Sequence, residues 1–469
     1  MTHVAIIGGG VAGLSLAFAV QRRSTAARPV AVTVLEAAPR AGGNLRSERV
    51  DGFLCEWGPN GFLDNAPDTL ALVHDVGLDD RRLPSREAAR RRFLYHHDRL
   101  HQVPEGPISF FTSPLLSWRG RLRVAAEPFA PARPAGDETI HAFAARRIGR
   151  EAADVLIDAM VSGVFGGDAR ELSLRACFPR MFDMETQYGG LVRALLARRR
   201  SRAASAPVGA PLGRLTSFVG GIEELVVALT ARLGASVQTS ARVTGIEPVL
   251  TVPGAAPSGP RWRVHVDGQP PMGADHVVCA GSAASTSRLV ASLDPQLSAA
   301  LTGISTAPLA VVCLGYQAST FGHPLDGFGF LVPRGEGLRL LGALWDSSIY
   351  PGRAPDGRVL IRVMLGGATD PGAVALDDDE LLHEARTGLR TAMGVEVRPV
   401  FWRIIRHPVG IPQYTRGHLE RLSRIDAALA RHPGLWTAGN SYRGVAINAC
   451  VAEAAPLADR ILAADAGTR

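Results

Sequence analysis

No lysine occurs anywhere in the 469 residues; all 51 basic side chains are arginine. That absence excludes Schiff-base chemistry, a Walker-type nucleotide loop with its lysine, and a lysine general base. Cysteine is scarce as well. Cys55, Cys177, Cys279, Cys313 and Cys450 are odd in number, far apart and without a CxxC pair. Neither a disulfide framework nor a metal site is expected, only buried or idle thiols in a reducing compartment. No apolar run approaches the roughly 18 residues of a membrane-crossing helix. Only three residues precede Val4-Ala5-Ile6-Ile7, which leaves no room for the charged start of a signal peptide. A cytoplasmic protein is expected. Excess charge is small too: +7 over the whole chain is too dilute to call for a nucleic-acid partner.

What is present is enough apolar residue for a large core. The chain is 46% hydrophobic with 51 Gly and 32 Pro, a composition that excludes disorder and collagen and suits two or three domains. The first thirty-six residues read as one βαβ unit: a buried strand, His3 to Ile7, a glycine loop, an apolar helix, and a second strand, Val30 to Leu35, ending on Glu36. From about Leu94 to Ala197 strand signals give way to helical periodicity. Leu195 to Arg214 reads as a surface linker, and Val252 to Gly259 as a loop. Strand character returns at Ser236 to Ile246, Arg261 to Val266, Asp275 to Ala280 and across 305–365. The tail alternates strand, glycine loop and helix. Nucleotide-binding pieces therefore sit at both ends and in the middle, with other modules inserted between them.

The glycine loop carries the first chemistry. Gly8, Gly9, Gly10, Val11, Ala12 and Gly13 follow a strand and open a helix. Gly8 makes the tight turn, Gly10 lets backbone approach a pyrophosphate, and Gly13 lets helix and strand pack closely, while the helix N-terminus favours negative charge. Glu36 is placed to accept hydrogen bonds from a ribose hydroxyl pair. Arg40, Gly42, Gly43 and Asn44 then form a second glycine turn against the diphosphate. Trp57, Gly58, Pro59 and Asn60, following Glu56, would bring backbone beside an isoalloxazine ring. Gly439, Asn440, Val445, Ala446 and Ile447 lead into a helix whose N-terminus could serve the flavin carbonyls. Three such loops in this order point to FAD.

These loops, with Ser162-Gly163-Val164-Phe165-Gly166-Gly167-Asp168, Asp326 to Pro333, Gly410-Ile411-Pro412-Gln413-Tyr414 and Gly444 to Asn448, resemble the FAD-dependent amine-oxidase superfamily over essentially the whole chain. Within it they resemble the protoporphyrinogen or coproporphyrinogen oxidases of haem synthesis. The resemblance implies an α/β fold: a Rossmann-like FAD domain of the GR2 type at 1–90, 212–285 and 405–469, a mainly helical membrane-associating insertion at 91–211, and a β-rich substrate domain at 286–404. It implies that Val243 touches adenine and Trp402 lies near the flavin. Asn440 departs from the aspartate many flavoproteins place at the ribityl chain; Asn44 and Gly61 also stand where relatives differ.

The implied activity is oxidation of protoporphyrinogen IX to protoporphyrin IX, six electrons in three flavin cycles, with oxygen reduced to hydrogen peroxide. Coproporphyrinogen III oxidation is the alternative; a carotenoid-type desaturase and a flavin-free binding protein of the prenyl-protein chaperone kind are further off. The missing lysine fits, because amine-oxidising members commonly hold a water at the flavin with one. Aromatisation drives porphyrinogen oxidation, so orientation, water exclusion and charge pairing suffice, and no residue is assigned as general base. The resemblance makes Arg91 or Arg92 the propionate anchor, a task suited to a guanidinium. It sets Phe165 and Gly167 beside the substrate ring, Leu331 and Tyr350 around a pyrrole, and Asn60 at ring or substrate. Phe110, Phe111, Leu115, Leu116 and Trp118, flanked by Arg119, Arg121 and Arg123, have the composition of a segment lying in a lipid interface. The expected partners are thus a tetrapyrrole, oxygen and the inner face of the cell membrane, with a homodimer left open.

Overall fold

The computed structural model describes residues 1–134, 136–201, 213–249 and 259–466. The centre of the expected linker at 195–214 and nearly all of the loop at 252–259 lie outside the described residues. A five-stranded parallel sheet runs in the order Val237–Gln238, Val30–Leu35, Thr2–Ile7, His276–Cys279, Leu435–Thr437. Its strands come from the start, middle and end of the chain, paired in parallel throughout. Parallel strands buried on both faces read as unbroken apolar runs, and Val4, Ala5 and Ile6 are fully buried. The helix Val11–Gln21 is buried nearly all round, enclosed by the sheet and by the helices Glu224–Leu233 and Ile447–Ala466. That is why its sequence lacks a polar face.

A second sheet of seven strands holds the other large core. Its order is Phe401–Pro412, Thr306–Gln317, Arg358–Gly366, Leu340–Leu344, Gly329–Leu331, Phe93–His96, Arg99–Gln102. Pairing is antiparallel except between Gly329–Leu331 and Phe93–His96, so the sheet is mixed. Two expected boundaries shift here. The segment at 91–211 opens with a hairpin, because His97 and Asp98 both take positive φ, the turn geometry that matches strand twist. The cut at 404/405 falls inside a strand of this sheet. Helix Ala283–Val290, cut by the expected boundary at 285/286, and helix Pro295–Thr302, expected with the substrate domain, both pack into the core shared with the strand His276–Cys279.

Of the stretch expected to be helical from about Leu94 to Ala197, the start is the hairpin Phe93–Gln102, and the rest of its described residues carry the helices from Pro107–Thr112 to Leu191–Ser201. Within that stretch Leu115 and Leu116 are buried, at 1% and 4% exposure, against Leu94, Val155 and Ala159. They therefore leave the set expected to meet lipid. Around them Ile108, Phe111, Trp118, Leu122 and Phe129 are exposed apolar side chains. No helix is long and apolar enough to cross a membrane among the described residues. All five cysteines are free thiols, four of them buried.

Candidate functional site: a dinucleotide cradle beside a buried charge cluster

The three glycines of the first loop differ in what surrounds them. A Cβ on Gly13 would overlap the Gly8 carbonyl oxygen, so this position closes the helix onto the strand. Gly8 has φ +115° and lies against the backbone of Ala280 and Gly281. A Cβ on Gly10 would meet nothing within 4 Å; space lies open where a pyrophosphate would rest. No side chain caps the helix that Gly10 begins, which leaves its first amides for an anion. The second glycine turn closes against the first: the Gly42 N–H donates to the Gly9 carbonyl at 2.7 Å, and Gly10 and Gly42 form a parallel bridge.

Glu36 is anchored before any ribose arrives. The Gly9 N–H donates to Oε2 at 2.7 Å and the Ala38 N–H to Oε1 at 2.8 Å. Each carboxylate oxygen keeps a lone pair for a hydroxyl. Arg40 reaches the carbonyls of Ala41 and Leu45 and lies 3.5 Å from Glu223. Burial lowers its pKa, and its Nε, buried without a partner, suits a phosphate oxygen. Gly43 and Asn44 are exposed, and Trp57, Gly58 and Asn60 half-buried. The Asn60 amide nitrogen has no partner. Val243 is half-buried and packs on the core that includes Leu35 and Val266, and Asn440, Val445 and Ala446 stay accessible ahead of Ile447. An open glycine cradle, an uncapped helix and orphaned donors fit a flavin dinucleotide.

Behind the Glu56–Asn60 turn lies a cluster of four buried charges. Arg362 donates to the carbonyls of Gly58 at 2.7 Å and Glu56 at 3.1 Å, and its Nε lies 3.1 Å from Asp346. Arg353 lies 3.3 Å from Glu56 and donates to the Ser217 hydroxyl. Ser47 donates to Glu56 at 2.5 Å and the Ile222 N–H at 3.1 Å. His407 holds the Trp57 carbonyl at 2.7 Å. Burial pushes the Glu56 carboxyl up to about 7, against the pull of Arg353. Burial likewise raises Asp346, opposed mainly by Arg362.

The expected substrate residues divide. Arg91 is paired to Asp326, whereas Arg92 has no carboxylate partner among the described residues and sits 5.2 Å over the Phe328 ring. Arg92 keeps solvent access while neighbouring atoms crowd it, and that crowding lowers its pKa. Leu331 is half-buried and packs on Gly163. Three expected contacts do not reach a free surface. Tyr350 is 1% exposed, with its hydroxyl behind Gly61. Phe165 is 3% exposed, edge-on to Phe178. Gly167 is buried against Gln413 and Leu172. All three are enclosed in this structure; Val164, 49% exposed, is the open side chain of that helix end. Trp402 also does not join the site. Its strand neighbours Phe401 and Arg403 meet Phe53 and Glu48 near the turn, and alternation sends Trp402 to the opposite, exposed face.

Sequence reading missed Arg362, Asp346, Arg353 and His407. One signal was available: Arg362 interrupts the apolar run Val359-Leu360-Ile361-Arg362-Val363-Met364-Leu365, and a charge inside a buried strand needs a partner. No cluster of His, Cys, Asp or Glu suited to a metal occurs among the described residues.

Comparison with known proteins bears on this geometry. A family model described as flavin containing amine oxidoreductase matches residues 11–462. A protoporphyrinogen oxidase of Bos taurus is 35% identical over 488 residues, covering 98% of both chains. A coproporphyrinogen III oxidase of Bacillus subtilis is 27% identical, covering 96% of this chain and 95% of its own. A solved structure from Exiguobacterium sp. 255-15 superposes with a TM-score of 0.82 at 24% identity over 98% of each chain.

Proposed function

The chain belongs to the flavin containing amine oxidoreductase family, in its protoporphyrinogen and coproporphyrinogen oxidase branch, and from that membership we propose that it is an FAD-dependent oxidase converting protoporphyrinogen IX to protoporphyrin IX in haem biosynthesis. The observation that supports this substrate is 35% identity, over nearly the whole chain, to mammalian protoporphyrinogen oxidases, against 32% and 27% to the coproporphyrinogen III oxidases of Propionibacterium freudenreichii and Bacillus subtilis. FAD, when bound, supplies the hydride acceptor for a meso carbon, and oxygen takes the electrons away as hydrogen peroxide over three cycles.

This chain's own residues hold and orient. The Gly10 cradle and the helix N-terminus receive the diphosphate, Glu36 the ribose, and the Trp57–Asn60 turn, fixed by Arg362 and His407, the ring edge. Arg92, a crowded cation without a counter-charge, anchors a propionate. Orientation is the main contribution, and no residue is assigned as general base. The proposed location is the cytoplasm, at the inner face of the membrane, supported by exposed Ile108, Phe111, Trp118 and Leu122 beside exposed Arg119. The test is anaerobic flavin reduction by protoporphyrinogen IX and coproporphyrinogen III side by side. Faster reduction by the second overturns the substrate assignment and leaves the flavin site intact.

A further inference from the structure

Gln413 and Tyr414 belong to neither the cradle nor the anchor, yet both are buried, at 4% and 1% exposure. Gln413 Nε2 donates to the Phe165 carbonyl at 2.9 Å and to the Ile411 carbonyl at 3.0 Å. The first bond satisfies a terminal carbonyl of the helix Asp158–Phe165, a group with no partner within the helix. Tyr414 works at the other end. Its hydroxyl donates to the Asn440 carbonyl at 2.5 Å and accepts from the Gly444 N–H at 2.8 Å, so one oxygen bridges both sides of the loop that leads into the last helix. The Tyr414 ring stacks on His418 at 4.1 Å, and His418 bonds the Tyr442 carbonyl.

The backbone between these two side chains is pinned. The Gln413 N–H donates to Ser305, the Ser173 N–H to Tyr414 and the Arg416 N–H to Glu171. Val445 packs against the same apolar group as Phe165. We propose that Gln413 and Tyr414 are positioning residues: Gln413 holds the helix end and turn at 163–168 on the tetrapyrrole side, and Tyr414 holds the loop at 439–446 on the flavin side. The inference rests on the reading of these loops given under the proposed function. Each side chain governs one loop, so the two should fail differently.

The experiment uses full-length holoenzyme. Gln413→Leu should raise the KM for porphyrinogen about fivefold, the size of one lost neutral hydrogen bond, with FAD affinity and the substrate-free flavin spectrum unchanged. Tyr414→Phe should shift that spectrum and weaken FAD about fivefold, with KM little changed. Gln413→Glu gives a second handle if Tyr414→Phe does not fold. Its carboxyl can donate to the Phe165 carbonyl only when protonated, so its KM should climb with pH while the wild-type KM does not. A merely structural role predicts instead that KM and FAD affinity worsen together in each variant, in step with Tm; that result, or no change in either variant, overturns the two positioning roles. Wild-type protein that neither takes up FAD nor is reduced by a porphyrinogen brings down the functional reading and this inference together.

Discussion

The cradle and the substrate wall are built in opposite ways. The cradle uses main-chain atoms from three short segments, and its glycines act by what they leave empty: Gly10 faces open space and Gly42 closes on Gly9. The wall uses side chains from distant segments, Arg92 from a hairpin, Leu331 from the next strand and Val164 from a helix. Phe165, Gly167 and Tyr350, from the same segments or near them, are enclosed. The difference teaches that binding a diphosphate needs a backbone shape, whereas seating a tetrapyrrole needs a supported surface. Arg362 joins the two regions, since it stands on the seven-stranded sheet and holds carbonyls of the flavin turn.

The largest effect is expected there. Arg362→Met strips two carbonyls of their donor and leaves Asp346 buried without its cation, at a cost of about 3–5 kcal/mol. Urea unfolding of the variant should show it; a loss under about 1 kcal/mol would mean the two regions are not tied through this side chain.

The glycines sharpen the contrast within the cradle. Gly13→Ala should destabilise the protein even without flavin, by about 1–3 kcal/mol, since the new methyl overlaps the Gly8 carbonyl. Gly10→Val should leave the apoprotein melt nearly unchanged and abolish flavin retention. Equal melts for the two variants would erase the distinction between packing glycine and ligand glycine.

Glu56 offers a pH test of the cluster behind the turn. Its carboxyl titrates near 7 when folded, above the ordinary 4.5, so between these values the folded state binds more protons than the unfolded. Its contribution to stability is greatest below about pH 4.5 and is lost as pH rises to about 7. Glu56→Gln should flatten that part of the stability–pH profile; an unchanged slope would assign it to other groups.

The smallest effect is confined to the wall. Arg92→Ala should raise KM for the porphyrinogen roughly tenfold, ~1.4 kcal/mol, with kcat little altered, because a propionate contact is nearly equal in ground and transition states. Arg91→Ala should change KM far less, since Arg91 is already paired at the surface with Asp326. Equal KM effects would blur the anchor.

By itself the sequence determined the cradle: glycines at fixed spacing, an acid at the end of the second strand and a helix after the loop act through local backbone, where chain order and spatial order coincide. It also carried the family, and the absence of lysine narrowed the chemistry. Only the tertiary structure decided the rest. It showed that Phe93–His96 is a strand of the large sheet, that Leu115 and Leu116 are core, that Trp402 faces away, and that Arg92 rather than Arg91 is the unpaired cation. It also brought Arg362 to Gly58, residues 304 positions apart. Each of those facts depends on which distant side chain occupies the neighbouring space, and no local pattern of residues records that.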